Sequence, residues 1–134
     1  MITEQTAETL SILVVDDEIV IAMLIEDALL SLGCNVVGPA GAVATAMKLI
    51  EAGDHRIDGA FLDINLRGEN VYPVADALTA RQVPFVFITG YATPQIDAGY
   101  RDVPAVSKPC PLEALDGFLK LFDDRRRDRM SNIH

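Results

Sequence analysis

Four short apolar runs, each followed by a residue with polar chemistry, constrain this chain more than any other feature. They are Ile12-Leu13-Val14-Val15 before Asp16-Asp17, Gly59-Ala60-Phe61-Leu62 before Asp63, Phe85-Val86-Phe87-Ile88 before Thr89, and Val103-Pro104-Ala105-Val106 just ahead of Lys108. Runs of this length read as strands buried on both faces, and longer amphipathic stretches separate them. The alternation predicts an α/β domain, a parallel sheet with helices on both sides.

Strand one is expected over 11–16 and helix one over about 18–32, with Glu18 in its first turn and Gly33 as a left-handed cap. Strand two covers Cys34 to Val37 and is closed by Gly38-Pro39; helix two runs from about Ala42 to Glu51. Strand three follows at about 58–63, then helix three at about 71–81, where Pro73 fits only in the first turn. Strand four is 84–88 and strand five about 104–106; Pro111 opens helix five, which reaches about Asp124. Between strands four and five, Thr89 to Asp102 contains Gly90, Pro94 and Gly99, leaving room only for a short or mobile helix four near 95–100. The expected organisation is a flexible segment over 1–9, one domain over 10–124, and a flexible charged tail over 125–134 that lacks apolar periodicity.

A chain of 134 residues suits a single core. Its net charge of −9 argues against nucleic acid as a partner, because phosphate backbones require clustered Lys and Arg. Residues 1–122 hold 17 acids against 7 bases, whereas 123–134 holds 3 acids and 4 arginines, a run expected to be solvated and to support a helix end. No apolar run approaches the roughly 20 residues of a membrane span, and Met1 to Thr9 has no signal-peptide features, so a cytoplasmic protein without membrane attachment is expected. Cys34 and Cys110 lack metal-ligand spacing, and the expected fold puts them at opposite edges of the sheet, too far apart for a disulfide. Cys34 reads as a small core residue.

In an open parallel sheet of order 2-1-3-4-5, ligands bind at the carboxyl ends of the strands, where strands one and three are neighbours. Asp16-Asp17 and Asp63 then meet, and three adjacent carboxylates call for a cation. Magnesium, a hard ion that prefers oxygen ligands, suits them. Asp17 and Asp63 are the expected direct ligands, with the backbone carbonyl of Asn65 as a third and Asp16 acting through water. Asp63 can attack a phosphoryl donor and become an acyl phosphate. Lys108 and Thr89 are then available to hold the phosphoryl oxygens.

At Leu13-Val14-Val15-Asp16-Asp17-Glu18, Leu62-Asp63-Ile64-Asn65-Leu66, Thr89-Gly90 and Ser107-Lys108-Pro109, the chain resembles the receiver domain of two-component response regulators over about residues 10–124. The resemblance implies a flavodoxin-like (βα)5 fold and phosphotransfer to Asp63 from a phosphohistidine on a histidine kinase or phosphotransfer protein. It also implies a cis bond between Lys108 and Pro109. Because no output domain follows, a stand-alone receiver is expected, which either relays the phosphate or acts on a downstream protein target. Most receivers carry a switch aromatic three positions before the lysine; here that place is Ala105. Pro84-Phe85-Val86-Phe87-Ile88-Thr89-Gly90-Tyr91 is similar to the motif of the FATGUY single-domain regulators of alphaproteobacteria, with Ile88 replacing the usual alanine, and Tyr91 is the candidate substitute switch.

Helix one adds a candidate partner surface. Ile19, Met23 and Leu30 share one face, leaving Ile21, Leu24, Ile25, Ala28 and Leu32 for the core. The first row would dock a helical phosphodonor beside the acidic site. A stunted helix four weakens a common dimerisation face, so a monomer is expected. Two other readings remain. A haloacid-dehalogenase-like aspartyl phosphatase also uses a strand-end aspartate and magnesium, but it wants a second Asp where this chain has Asn65, and a cap region. A pseudo-receiver would bind partners without phosphorylation, against which the intact Asp17, Asp63, Thr89 and Lys108 speak.

Overall fold

A computed structural model describes residues 9–53, 56–66, 68–90, 98–108 and 110–131. Five parallel strands form the sheet: β1 (Ser11–Val15), β2 (Asn35–Ala40), β3 (Gly59–Asp63), β6 (Phe85–Thr89) and β7 (Ala105–Ser107). Their order, β2-β1-β3-β6-β7, is the expected 2-1-3-4-5 of a flavodoxin-like fold. A two-stranded antiparallel ribbon, β4 (Asn65–Leu66) with β5 (Glu69–Asn70), follows the third strand and was not anticipated. Gly68 turns it with a φ of +87°, a backbone angle that glycine adopts at little cost.

Alternate residues of β1 feed two cores. Leu13 and Val15 join Ala46 and Ile50 of α2 (Val43–Glu51) and Val74, Ala75 and Leu78 of α3 (Tyr72–Ala80) on one face. Ile12 and Val14 join Ile25 and Leu29 of α1 (Ile19–Ser31) and Leu115, Leu119 and Phe122 of α4 (Leu112–Ser131) on the other. Cys34 is buried in this second cluster, and burial, aided by Asp58, raises its thiol pKa to about 11. Both cysteines are free.

Helix α4 packs unusually close to the sheet. A Cβ added at Gly59 would lie 2.3 Å from the Phe122 ring, so the absence of a side chain there lets the ring seat on β3. The same ring packs against Phe61, with centroids 5.6 Å apart. At the amino edge of the sheet, buried Asp58 accepts the Ser11 N–H at 2.8 Å and pairs with Arg56 Nε at 3.1 Å. This contact ties β1 to the entry of β3.

Three expectations need correction. Strand two does not stop at Gly38-Pro39 but continues to Ala40, with a register irregularity between Leu13 and Val15 that accommodates those residues at the sheet edge. The last helix does not end near Asp124, and the expected flexible tail is helical as far as Ser131. Leu115, Leu119, Phe122 and Arg126 form one inward stripe, so a buried arginine continues a pattern legible only for apolar residues. Asp123 accepts from Arg126 at 2.8 Å and pairs with Arg127 at 3.0 Å, within helical reach. In helix one, Leu24 is 53% exposed rather than core-facing, while Ala22 and Leu29 are buried in its stead. Of the expected helix four near 95–100, residues 95–97 lie outside the described residues, and Ala98–Tyr100 forms one 3-10 turn.

Candidate functional site

Parallel pairing brings the strand ends level. Val15 of β1 pairs with Leu62 of β3, and Asp63 pairs with Ile88 of β6, which sets Asp16, Asp63 and Thr89 along one carboxyl edge. Thr89 pairs with Ser107, and the Thr89 carbonyl accepts the Lys108 N–H at 2.8 Å. Asp16, Asp63 and Thr89 are buried. One carboxylate oxygen from each of Asp16, Asp17 and Asp63 lies within 4.8 Å of the others.

The Lys108 ammonium sits among these acids. It donates to Asp63 Oδ2 at 3.0 Å, Asp16 Oδ1 at 3.2 Å and Glu18 Oε1 at 2.5 Å. Burial pushes the Lys108 pKa down, but hydrogen bonds to Glu18, Asp63 and Asp16 outweigh that effect and raise it above the ordinary lysine value. The lysine is therefore fully charged. Asp16 Oδ1 also accepts the Glu18 N–H at 2.9 Å, which fixes the turn into α1.

Magnesium fits this donor set. The three clustered ligand atoms are carboxylate oxygens, as a hard cation requires. Asp16 Oδ2 is buried without a hydrogen bond, although it forms an ion pair with Lys108 at 3.1 Å, so it retains capacity for a further electrophile. Asn65 opens β4 two residues beyond Asp63.

Of the residues singled out in the sequence, Asp16, Asp17, Asp63, Thr89 and Lys108 converge at this edge. Tyr91 and Pro109, and with them the expected Lys108–Pro109 cis bond, lie outside the described residues. Ile19, Met23 and Leu30 are exposed by 70%, 54% and 53%. A cleft of about 400 Å³ runs between Asp16, Asp17, Ile19, Met23 and Pro39, joining Ile19 and Met23 to the acids. A larger cleft of about 830 Å³, near Phe85, Tyr100 and Arg129, opens at the opposite end of the sheet, away from the carboxylates.

Two features went unread in the sequence. Glu18 appeared only as a first-turn acid, yet its carboxylate reaches Lys108 across 90 residues of sequence. Tyr100 stacks on Tyr72, with centroids 5.2 Å apart and rings 7° from parallel, and meets Phe85 and Phe87 edge-on. Apolar spacing foretells neither contact, because each joins elements distant in the chain.

The family model for the response regulator receiver domain matches residues 12–119. No curated protein matches the chain. The solution structure of SdrG from Sphingomonas melonis Fr1 is 43% identical, covering 85% of this chain and 96% of that one, with a TM-score of 0.75. The BeF3-activated conformation of SdrG from Pseudomonas melonis Fr1 is 43% identical over 82% of this chain and 92% of that one, with a TM-score of 0.69. The receiver domain of the PhyR response regulator from Erythrobacter litoralis is 26% identical over 87% and 92% of the two chains, with a TM-score of 0.73. Among the described residues no helix is long and apolar enough to cross a membrane.

Proposed function

This chain belongs to the receiver domains of two-component response regulators, and from that premise we propose that Asp63 accepts a phosphoryl group from a phosphohistidine on a histidine kinase or phosphotransfer protein. Receiver domains are signalling domains that bind magnesium in an acidic pocket. The observation that carries the assignment is the setting of Asp63: buried at the end of a central strand, 3.0 Å from the Lys108 ammonium, within the carboxylate cluster.

An Asp63 carboxylate oxygen attacks phosphorus while the P–N bond of the phosphohistidine breaks. The bonding electron pair stays with the imidazole, which takes up a proton. The residues that would hold magnesium are Asp17 and Asp63, with the Asn65 carbonyl as a third ligand and Asp16 through water; the bound ion would supply positive charge for the phosphoryl oxygens. Lys108 neutralises a second oxygen and the Thr89 hydroxyl donates to a third. Drawing Thr89 towards the phosphoryl group is the movement through which the signal leaves the site.

The test is a time course with a phosphorylated histidine kinase. One label per chain, blocked by chelating divalent metal, is the expected result. Sustained turnover of a phosphomonoester would favour an aspartyl phosphatase instead, and no labelling under any condition would favour a phosphorylation-independent binding module.

The exposed row on α1 completes the proposal. Ile19, Met23 and Leu30 seat a helical phosphodonor beside the cleft that leads to Asp16 and Asp17. Exchanging Met23 for glutamate should slow transfer from the kinase about tenfold, equivalent to ~1.4 kcal/mol of docking energy. Labelling by a small-molecule phosphodonor should stay at the native rate. Equal losses with both donors would rule out docking at this face.

A further inference from the structure

The geometry points to Glu18 as a positioning residue that occupies Lys108 in the resting protein and so restrains phosphorylation of Asp63. The inference rests on the phosphoacceptor reading and goes beyond it to the regulation of the same site. An ammonium has three hydrogens and accepts nothing. At Lys108 those hydrogens face Asp16, Glu18 and Asp63, at 3.2, 2.5 and 3.0 Å. A phosphoryl oxygen can therefore bind Lys108 only by displacing one carboxylate or by sharing the charge with it.

The three carboxylates are not equivalent. Asp63 carries the incoming group, and Asp16 is buried and held by the Glu18 N–H at 2.9 Å. Glu18 is the exposed member, with 59% of its side chain open to solvent against 7% for Lys108. Its carboxylate has no local duty: Glu18 is the N-cap residue of α1 but makes no side-chain capping hydrogen bond. A shorter Ser, Thr, Asp or Asn is the usual choice there, because its oxygen reaches the first free N–H groups of the helix. The longer glutamate reaches Lys108 instead.

The electrostatic consequence is direct. With Glu18 in contact, the positive potential that Lys108 offers the phosphoryl oxygens is partly cancelled, in a site where burial weakens solvent screening. Lys108 cannot step aside as a whole, since its backbone N–H is bonded to the Thr89 carbonyl. Only its ammonium is shared between Glu18 and the phosphoryl group. Phosphorylation thus includes a change of partner at Lys108, from an exposed carboxylate to the phosphoryl oxygen.

The test is a double-mutant cycle with Glu18→Gln, Lys108→Met and both together, read by beryllofluoride affinity in magnesium buffer and by labelling with a small phosphodonor. Glu18→Gln should raise both by about two- to tenfold, the range of a partly exposed pair with one buried partner. The gain should vanish in the Lys108→Met background. A gain that persists there would mean that Glu18 merely repels the anion, and a loss on Glu18→Gln would mean that it aims Lys108 at the phosphoryl group; either overturns the proposal. A separate readout needs neither metal nor phosphate: the ¹⁵N resonance of the Lys108 ammonium should shift on Glu18→Gln in metal-free protein. An unchanged resonance removes the ion pair and the proposal with it. Failure of the native protein to take up beryllofluoride, despite an intact ion pair by that resonance, would instead overturn the phosphoacceptor reading, and the restraint would fall with it.

Discussion

Asp63→Asn should abolish labelling from a phosphorylated histidine kinase, by about 10³-fold or more, since the attacking oxygen is part of the nucleophile itself. The amide preserves the shape of the side chain, so the sheet edge stays in place. It also removes one of three crowded negative charges, and thermal stability should be maintained or slightly raised. Intact-mass spectrometry checks the outcome: native protein gains the mass of one phosphoryl group and the variant does not. Asp16 and Asp17 lie in the same cluster and provide the internal control. Asp16 is tied to both the Glu18 N–H and Lys108, which holds its carboxylate in place. Label on either residue in the Asp63 variant would overturn the assignment.

Phe122→Ala should reduce folding stability by about 3–5 kcal/mol, the range for deleting a fully buried aromatic ring. Phe122 is completely buried between α4 and β3. Its ring occupies the place where a Gly59 side chain would otherwise stand, so no neighbouring Cβ at that position is available to fill the cavity. Urea unfolding followed by circular dichroism measures the loss. Phe122→Leu, which keeps most of the apolar volume, should lose only about 1–1.5 kcal/mol. A loss below about 1 kcal/mol for the alanine variant would mean that α4 does not close this face of the sheet.

Uninterrupted apolar runs made β1, β3 and β6 legible, because strands buried on both faces advertise themselves in composition. Asp16, Asp17, Asp63, Thr89 and Lys108 were legible for a related reason: each lies at or just beyond the carboxyl end of a strand, and parallel topology brings those ends together. The β4–β5 ribbon was missed because two-residue strands carry no period. The last seven residues of α4 were missed because their inward position is held by Arg126, whose aliphatic stem does the work that a leucine would have announced. Leu24 was misassigned for the opposite reason. Helix one is apolar nearly all round, so spacing alone did not determine which row meets the sheet.

Local periodicity, and the places where polar residues interrupt it, therefore carried the fold class and the chemical inventory of one sheet edge, whereas the strand order pairs elements distant in the chain, which no local period encodes. Tertiary structure decided which charges touch. Lys108 could have faced Asp16, Asp63 or solvent on sequence grounds, yet it also meets Glu18, a residue that the linear pattern assigned to a helix terminus. Contacts between side chains from β7 and the start of α1 depend on strand register and side-chain reach, which become definite only when the sheet is assembled.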